Sequence, residues 1–140
     1  MDRPVTTPHE ILNPETLPKP IGFSHAVVAA PGRTVYLGGQ AGLDRDGELV
    51  SDDIVEQFAQ AAANVVDALT AAGAAPDQLV AMQIYVTDVT EYRSRLDDLA
   101  NVYQNHFAKH YPAIALLGVK ELFDPRAKVE LVCTAVVPEA

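Results

Sequence analysis

The clearest secondary-structure signal in this chain is the stretch DIVEQFAQAAANVVDALTAAG, which spans residues 53–73. Asp53 followed by Glu56 is typical of a helix start, and Gly73 suits the left-handed backbone that ends a helix. The stretch therefore predicts an amphipathic helix that packs one face on a sheet, with these apolar residues at helical spacing: Ile54, Phe58, Ala62, Val65, Leu69 and Ala72.

A strand and a second helix are predicted downstream of Gly73. Residues 79–87 alternate in a way that puts Leu79, Ala81, Gln83 and Tyr85 on one face and Val80, Met82, Ile84 and Val86 on the other. Asp88 with Glu91 predicts the start of the second helix, which we expect to end before Pro112. The predicted buried face of this helix consists of Tyr92, Leu96, Leu99, Tyr103 and Phe107.

The N-terminal region carries prolines at positions 4, 8, 14, 18 and 20, and proline cannot donate a backbone hydrogen bond. We therefore expect residues 1–22 to form an extended surface arm without helix, and residues 23–140 to form one domain. Two β-prone runs, Phe23–Ala30 and Thr34–Gly39, flank a Pro-Gly turn signal at residues 31–33 and predict a hairpin.

The strand pattern continues in two further regions. A turn at residues 44–47 predicts that the chain returns through residues 48–50 as a short strand or an ordered loop. Residues 113–119 and 128–137 predict two more strands, which gives the order β-β-(β)-α-β-α-β-β. Two helices cover only one face of such a sheet, so we expect the mixed second face to pack in a homo-oligomer.

Composition excludes several classes of protein. With 140 residues, 49% of them hydrophobic, the chain is sized for a single globular domain. A formal net charge of −9 without any run of Lys or Arg argues against a nucleic-acid partner. The sequence has no stretch of about 20 apolar residues that could span a membrane, and the residues after Met1 lack the apolar stretch of a secretory signal peptide. The single cysteine, Cys133, cannot form a disulfide within the chain. The expected location is the cytoplasm.

Several short strings, taken together and in order, resemble the RidA/YjgF family, which is also labelled endoribonuclease L-PSP. The resemblance extends from about residue 13 to residue 138. Its strings are Pro20-Ile21-Gly22-Phe23-Ser24-His25-Ala26-Val27, Leu37-Gly38-Gly39-Gln40, Ala72-Gly73, Tyr85-Val86-Thr87-Asp88, Tyr103 with Phe107, Tyr111-Pro112-Ala113 and Lys128-Val129-Glu130.

The resemblance implies a chorismate-mutase-like α/β (α+β) fold with two helices on one face of the sheet. It also implies a homotrimer whose sheets form an inner barrel, with a cleft between each pair of subunits. RidA-type members are deaminases that hydrolyse imines or enamines of small metabolites to 2-keto acids and ammonia, without a metal or a cofactor.

The chain departs from the family pattern at the positions that carry this chemistry. Ile114 stands where a Pro-Ala-Arg string would supply the arginine that binds the substrate carboxylate. Val132 stands where a glutamate helps to position water, Phe23 replaces a tyrosine, and Ala100 replaces an asparagine. The chain thus resembles the arginine-lacking subfamilies, and an uncharged or differently oriented substrate fits an apolar wall at Ile114.

The ligand-binding residues expected at the cleft are Phe23, Ser24, Gly39, Gln40, Tyr85, Ile114 and Glu130. For three of them the sequence is also compatible with a structural role that involves no ligand. Ser24 could bond to nearby backbone, Gln40 could cap exposed sheet hydrogen bonds, and Glu130 could form a salt bridge across the trimer to Lys120 or Arg126.

Other chemistry-bearing residues give weaker signals. His25 could act as a general base, but a histidine at a strand edge is more often a solvated surface residue. His106 and His110 have the helical spacing of a metal pair without an evident third ligand, so we predict no metal site. Cys133 fits a buried structural thiol, and the Gly38-Gly39 pair fits a strand that a neighbour approaches closely.

Three functions are compatible with the sequence. The first is a RidA-type hydrolase of an imine, an enamine or a related small metabolite. The second is a non-catalytic small-molecule binder or metabolic sensor on the same trimer. The third is an endoribonuclease or translation inhibitor, which the acidic composition disfavours because the charge of the whole molecule would repel RNA.

Overall fold

A computed structural model describes residues 6–140, so the first five residues of the predicted arm lie outside the described part. The strands are β1 (Glu10–Leu12), β2 (Ala26–Val28), β3 (Gly32–Tyr36), β4 (Gln40–Ala41), β5 (Leu79–Val86), β6 (Ala113–Gly118) and β7 (Val129–Pro138). The helices are α1 (Ile54–Ala71), α2 (Val89–Ser94) and α3 (Leu96–Phe107), and a 3₁₀ turn occupies Pro76–Gln78.

Five strands form the main sheet, in the order β3-β7-β5-β6, with β4 pairing to β7 beside β3. The β5–β6 pair is parallel, and β7 is antiparallel to β3, β4 and β5. A separate antiparallel pair joins β1 to β2. The predicted α+β architecture, with helices packed on one sheet face, is confirmed.

Helix α1 begins and ends where the sequence predicts. The Asp53 carboxylate accepts a hydrogen bond from the Glu56 amide at 3.1 Å, and Gly73 adopts a φ of +75° just beyond the last turn. Five of the six predicted apolar positions are fully buried where α1 packs against β7, β4 and α3, whereas Ala72, just beyond the end of the helix, is half-buried. The predicted period therefore reproduces the buried face of α1.

The predicted second helix is interrupted, so residues 6–140 contain three α-helices where we expected two. Arg95 has a φ of −118° and a ψ of 23°, which separates α2 from α3. Its guanidinium donates to Asp53 at 2.8 Å and to Asp98 at 3.4 Å, and the first of these bonds lowers the pKa of Asp53. Because the helix axis breaks here, Leu96 is 51% exposed and does not join the core, contrary to our expectation.

The predicted hairpin is wrong. Strand β2 pairs with β1 inside the supposed arm, and β3 pairs with β7. Pro31 has no N–H, and the Ala30 N–H donates to Nδ1 of the buried His9 at 3.0 Å, so the connection between β2 and β3 lacks the donors of a hairpin. His9 Nε2 donates to the carbonyls of Gln78 and Val136, each at 3.1 Å, which anchors the arm to the domain.

The predicted turn at residues 44–47 is present, with Gly47 at a φ of +80°. The Gly47 amide donates to Asp44 O at 3.0 Å, and a single antiparallel bridge joins Leu43 to Leu49. The segment is thus an ordered loop with one bridge, and not a full strand.

The face assignment of β5 needs one correction. A register shift between Leu79 and Ala81 turns Leu79 to the helix side, where it is fully buried. From Ala81 onward the predicted alternation is confirmed, with Met82, Ile84 and Val86 in the core.

The opposite sheet face, hereafter the open face, is not covered by any described element along most of its length. Tyr36 is 81% exposed and Leu117 is 44% exposed on this face. The other open-face residues used below are Gln83, Tyr85, Glu130 and Val132, which are half-buried or exposed.

A buried glutamine connects α1 to two loops. Gln57 is fully buried, and its amide donates to Ser51 O at 2.9 Å and to Arg126 O at 3.3 Å. Its Oε1 accepts from the Lys128 amide at 2.7 Å. These bonds join α1 to the loop that precedes it and to the start of β7.

We predict that Gln57→Leu lowers the free energy of unfolding by about 2–4 kcal/mol, because one backbone donor and two carbonyls lose their partner in a dry site. Urea denaturation followed by circular dichroism measures the change. Gln60→Leu is the matched control on the same helix, since Gln60 is half-buried and bonds only to Asn64, and we expect it to cost less than about 1 kcal/mol. Equal losses in both variants would contradict the role of Gln57.

Candidate functional site

A cavity of about 510 Å³ lies between the N-terminal segment Ile21–Phe23, helices α2 and α3, and the edge strand β6. Its walls are mainly apolar and aromatic, as is usual for pockets that bind small organic molecules. Ile84 of β5 and Ile114 and Leu116 of β6 form its floor on the helix side of the sheet.

Phe23 and Ile114 are the two predicted site residues that the structure brings together in this cavity. They are far apart in sequence, and the hydrogen bonds of Ser24 hold their two segments together. The Ser24 amide donates to Pro112 O at 3.0 Å, and its hydroxyl donates to Tyr111 O at 2.6 Å. Ser24 itself is buried and bonds to backbone, so its structural role is the one observed and it positions Phe23 beside β6.

Aromatic side chains shape the inner end of the cavity. The Tyr103 and Tyr111 rings stack with centroids 5.2 Å apart, and Gln104 Nε2 donates to the Tyr111 hydroxyl at 2.9 Å. The Tyr103 hydroxyl donates to His110 O at 2.7 Å, and burial raises the pKa of this phenol. These rings are held in place by contacts on both sides, so the pocket is largely preformed.

The charge of the cavity is negative. Within residues 6–140, Asp97 is the one ionisable acid or base of the Asp, Glu, His, Lys and Arg types among the lining residues. Ala100 also lines it and adds no polar group. The cavity therefore offers a substrate no cationic side chain.

Three other predicted site residues, Gly39, Tyr85 and Glu130, form a second cluster on the open face. Gly39 approaches the carboxylate of Glu130 so closely that an added Cβ would lie 2.9 Å from the Glu130 Cδ. Tyr85 and Glu130 are register partners on β5 and β7, and Gln40 lies on the adjoining strand β4. None of these four residues lines the cavity. Gly39, Tyr85 and Glu130 lie on the opposite side of the sheet, whereas Gln40 is the register partner of the core residue Leu131 and lies on the helix side, where β4 packs against α1.

Local hydrogen bonds occupy the side chains of Gln40 and Tyr85. Gln40 Nε2 donates to Gly38 O at 3.2 Å, which agrees with a capping role, and the Tyr85 hydroxyl donates to Gln83 Oε1 at 3.0 Å. Val132 is the register partner of Gln83 on the same face. The cluster thus contains one carboxylate, Glu130, surrounded by neutral groups.

The histidines considered from the sequence are engaged by the backbone. His25 Nε2 donates to Pro18 O at 2.7 Å and its ring meets Phe23 edge-on at 5.0 Å. His106 bonds to Val102 O, while His110 lies beyond the end of α3 and bonds to Leu79 O, so the two do not share a helix face. In the described part of the chain, no three His, Cys, Asp or Glu side chains cluster as metal ligands.

Sequence reasoning missed the contribution of α2 and α3 to the cavity. The sequence pattern predicts core positions for Tyr92, Leu96 and Leu99 and gives no signal for Asp97 and Gln104. Apolar residues at helical spacing look the same in sequence whether they pack on a sheet or border a pocket.

The chain is similar in sequence to proteins of a known family. A family profile described as Endoribonuclease L-PSP matches residues 15–137. The chain is 32% identical over 133 residues to a 2-iminobutanoate/2-iminopropanoate deaminase of Dermatophagoides farinae, covering 94% of this chain and 98% of that protein. The human protein of the same name is 30% identical, with 80% of this chain and 79% of that protein covered.

The fold is also similar to solved structures. The crystal structure of a Rid-family protein of unknown function from Yersinia pestis superposes with a TM-score of 0.83 at 32% identity, covering 92% of this chain and 98% of that one.

None of the helices in residues 6–140 has the length and apolar character needed to cross a bilayer.

We predict that Cys133 reacts with thiol reagents only when the chain unfolds. Burial raises its pKa to about 12, and its side chain is 1% exposed, so both the thiolate and its access are suppressed. Modification by a chromogenic disulfide at pH 8 should be at least about 100-fold slower in the native protein than in 6 M guanidinium, since native reaction requires opening of the core. Rapid native labelling would instead indicate an accessible nucleophile.

Proposed function

The chain belongs to the endoribonuclease L-PSP family, which includes the RidA/YjgF proteins, and from this premise we propose that it hydrolyses imines or enamines of small metabolites. The substrate's apolar part would occupy the cavity beside Ile114. The observation that carries the proposal is the cavity itself, in which Phe23 and Ile114 meet and which is large enough for a small metabolite.

The relatives named as 2-iminobutanoate/2-iminopropanoate deaminases support the reaction class. Ile114 and Val132 support a changed substrate, because a carboxylate placed against an isoleucine loses its hydration without gaining a charged partner. We assign the chain to an arginine-lacking group within the family on this basis.

We further propose that the site is completed by a second copy of the chain in a homotrimer. The cavity and the Glu130 cluster lie on opposite sides of one sheet, so a single copy cannot bring them together. The exposed Tyr36 and Leu117 on the open face support burial against a neighbour. In this arrangement the Glu130 cluster of one copy faces the cavity of the next, and its carboxylate is available to orient water.

The deciding experiment generates assorted imines with an amino acid oxidase and follows competition between hydrolysis and semicarbazone trapping. We expect the protein to lower semicarbazone formation and to speed ammonia release with at least one imine that has an apolar side chain. Binding of the corresponding keto acid or amine without any acceleration would replace the hydrolase by a non-catalytic binder. An acidic chain of this kind is not expected to cleave RNA, and an RNA substrate serves as the negative control.

We predict that Ile114→Arg raises activity toward 2-aminoacrylate by about tenfold or more, because a guanidinium fork pairs both carboxylate oxygens and orients the imine carbon. Ile114→Met is the matched control, since it keeps a long side chain without charge. A gain in both variants would show that side-chain shape, and not charge, limits the reaction. Background activity in an intact Ile114→Arg oligomer would shift attention to Val132 and Phe23.

Light scattering after gel filtration should give three chains per particle. We predict that Leu117→Glu, which puts a charge on the open face, shifts the particle toward smaller species because the carboxylate would be buried without a partner. Val50→Glu is the control, since Val50 is a comparably exposed residue, 39% against 44%, in a loop away from this face. A monomeric parent protein would contradict the shared site.

A further inference from the structure

We propose that the cavity selects imines that carry no carboxylate, and that it binds them as the protonated, cationic form. The substrate class would then be the imine of a primary amine with an apolar side chain, and the product an aldehyde or ketone. This inference rests on the proposed hydrolase function and specifies which imines it accepts.

The first support is the sign of the charge around the cavity. Asp97 is a carboxylate in the first turn of α3, at the cavity wall, and the lining residues within 6–140 include no Lys, Arg or His. A bound carboxylate would face Asp97 at short range, whereas an iminium cation would be attracted to it. The net charge of −9 acts in the same direction at longer range.

The second support is that the arginine nearest in sequence to the lining residues of α3 is held in ion pairs outside the cavity. Arg95 directly precedes Leu96, yet its guanidinium is held by Asp53 at 2.8 Å and by Asp98 at 3.4 Å. Turning it toward the cavity would break both ion pairs and leave two carboxylates without their partner. The chain therefore does not replace the cation missing at Ile114 with one from the neighbouring helix.

The third support is the character of the neutral polar groups. Gln104 lines the cavity and carries no charge; one N–H of its Nε2 donates to the Tyr111 hydroxyl, and its Oε1 is a neutral acceptor. Tyr92 adds a phenol that stays neutral, because burial raises its pKa. Acceptors and neutral hydroxyls suit the N–H donors of an iminium, while a carboxylate needs several strong donors.

A neighbouring copy would strengthen this preference. The open-face cluster that we propose to close the cavity brings Glu130, which is again a carboxylate. Glu130 lies among neutral residues within its own chain, so its charge is not cancelled by a described ion pair. The completed site would hold two carboxylates around one substrate.

The reaction balances without any further reactant. Water adds to the carbon of R–CH=NH₂⁺, and one proton passes from the added oxygen to nitrogen. The C–N bond then breaks as the remaining hydroxyl forms the carbonyl, and its proton passes to the leaving NH₃, which gives R–CHO and NH₄⁺. No oxidation or reduction occurs. Placing the cation beside Asp97 leaves the imine carbon open to water at the mouth of the cavity.

The test compares two imines that differ only in the carboxylate. A flavin amine oxidase converts 2-phenylethylamine to its aldimine, and an L-amino acid oxidase converts L-phenylalanine to the 2-imino acid. Stopped-flow loss of each imine is measured with and without the protein, against the uncatalysed rate. We expect the acceleration to be at least about tenfold greater for the aldimine, corresponding to a difference of about 1.4 kcal/mol.

Charge-matched variants separate Asp97 from a general field effect. Asp97→Asn and Asp98→Asn remove the same charge from consecutive residues, but only Asp97 lines the cavity. Calorimetry should show that Asp97→Asn weakens binding of 2-phenylethylamine by about two- to fivefold, the range for a solvent-exposed ion pair. Binding of the neutral 2-phenylethanol should not change in Asp97→Asn. Asp98→Asn should change the binding of neither ligand, because Asp53 still holds Arg95 at 2.8 Å.

The outcomes distinguish the two proposals. Acceleration of the 2-imino acid in preference to the aldimine overturns this inference and leaves the hydrolase intact. Tighter binding of 3-phenylpropanoate than of 2-phenylethylamine, or equal effects of Asp97→Asn and Asp98→Asn, also overturns it. No acceleration of either imine overturns the hydrolase proposal and the substrate class with it.

Discussion

The pairing of β7 is the constraint on which the rest of the molecule depends. This ten-residue strand bonds to β5 along one edge and to both β3 and β4 along the other, so it joins the two ends of the chain to its middle. Alternation along β7 then separates a buried row, Val129 to Ala135, from the open face that carries Glu130. Every later feature follows from having one covered face and one open face.

That division separates the cavity from the Glu130 cluster within one copy. The cavity forms where the helices overhang the edge strand β6, and Ser24 fastens the N-terminal segment against it. The Glu130 cluster is only a sheet thickness away, but backbone and buried side chains fill that distance. A function that uses both groups requires a neighbouring copy to present its own open face to the cavity.

The electrostatics of the cavity depend on ion pairs outside it. Asp53 caps α1 and holds Arg95, which also pairs with Asp98, and this arrangement coincides with the break between α2 and α3. The break exposes Leu96 and puts Asp97 at the cavity wall. Helix capping, helix interruption and the negative character of the site are therefore linked through one guanidinium.

Much of this architecture is readable from sequence, since it rests on local signals. The Asp53 cap, the Gly73 stop, the period of α1 and the alternation in β7 each involve residues within a few positions of one another. The resemblance to the family also brought Phe23 and Ile114 into one predicted cleft. Single-residue departures such as the Leu79 bulge have no local pattern strong enough to reveal them.

The sequence by itself determined helix α1, the face alternation of β7 and of β5 from Ala81 onward, the absence of an arginine at position 114 and the overall negative charge. Only the tertiary structure decided that the Ala30 amide bonds to His9 where a β2–β3 hairpin was predicted, and that the helix is interrupted at Arg95. It also decided that the charged residue bordering the cavity is Asp97 and not a cation. The physical reason is range: propensity and periodicity act between near neighbours, whereas hydrogen bonds and ion pairs between segments depend on which distant residues the fold places in contact.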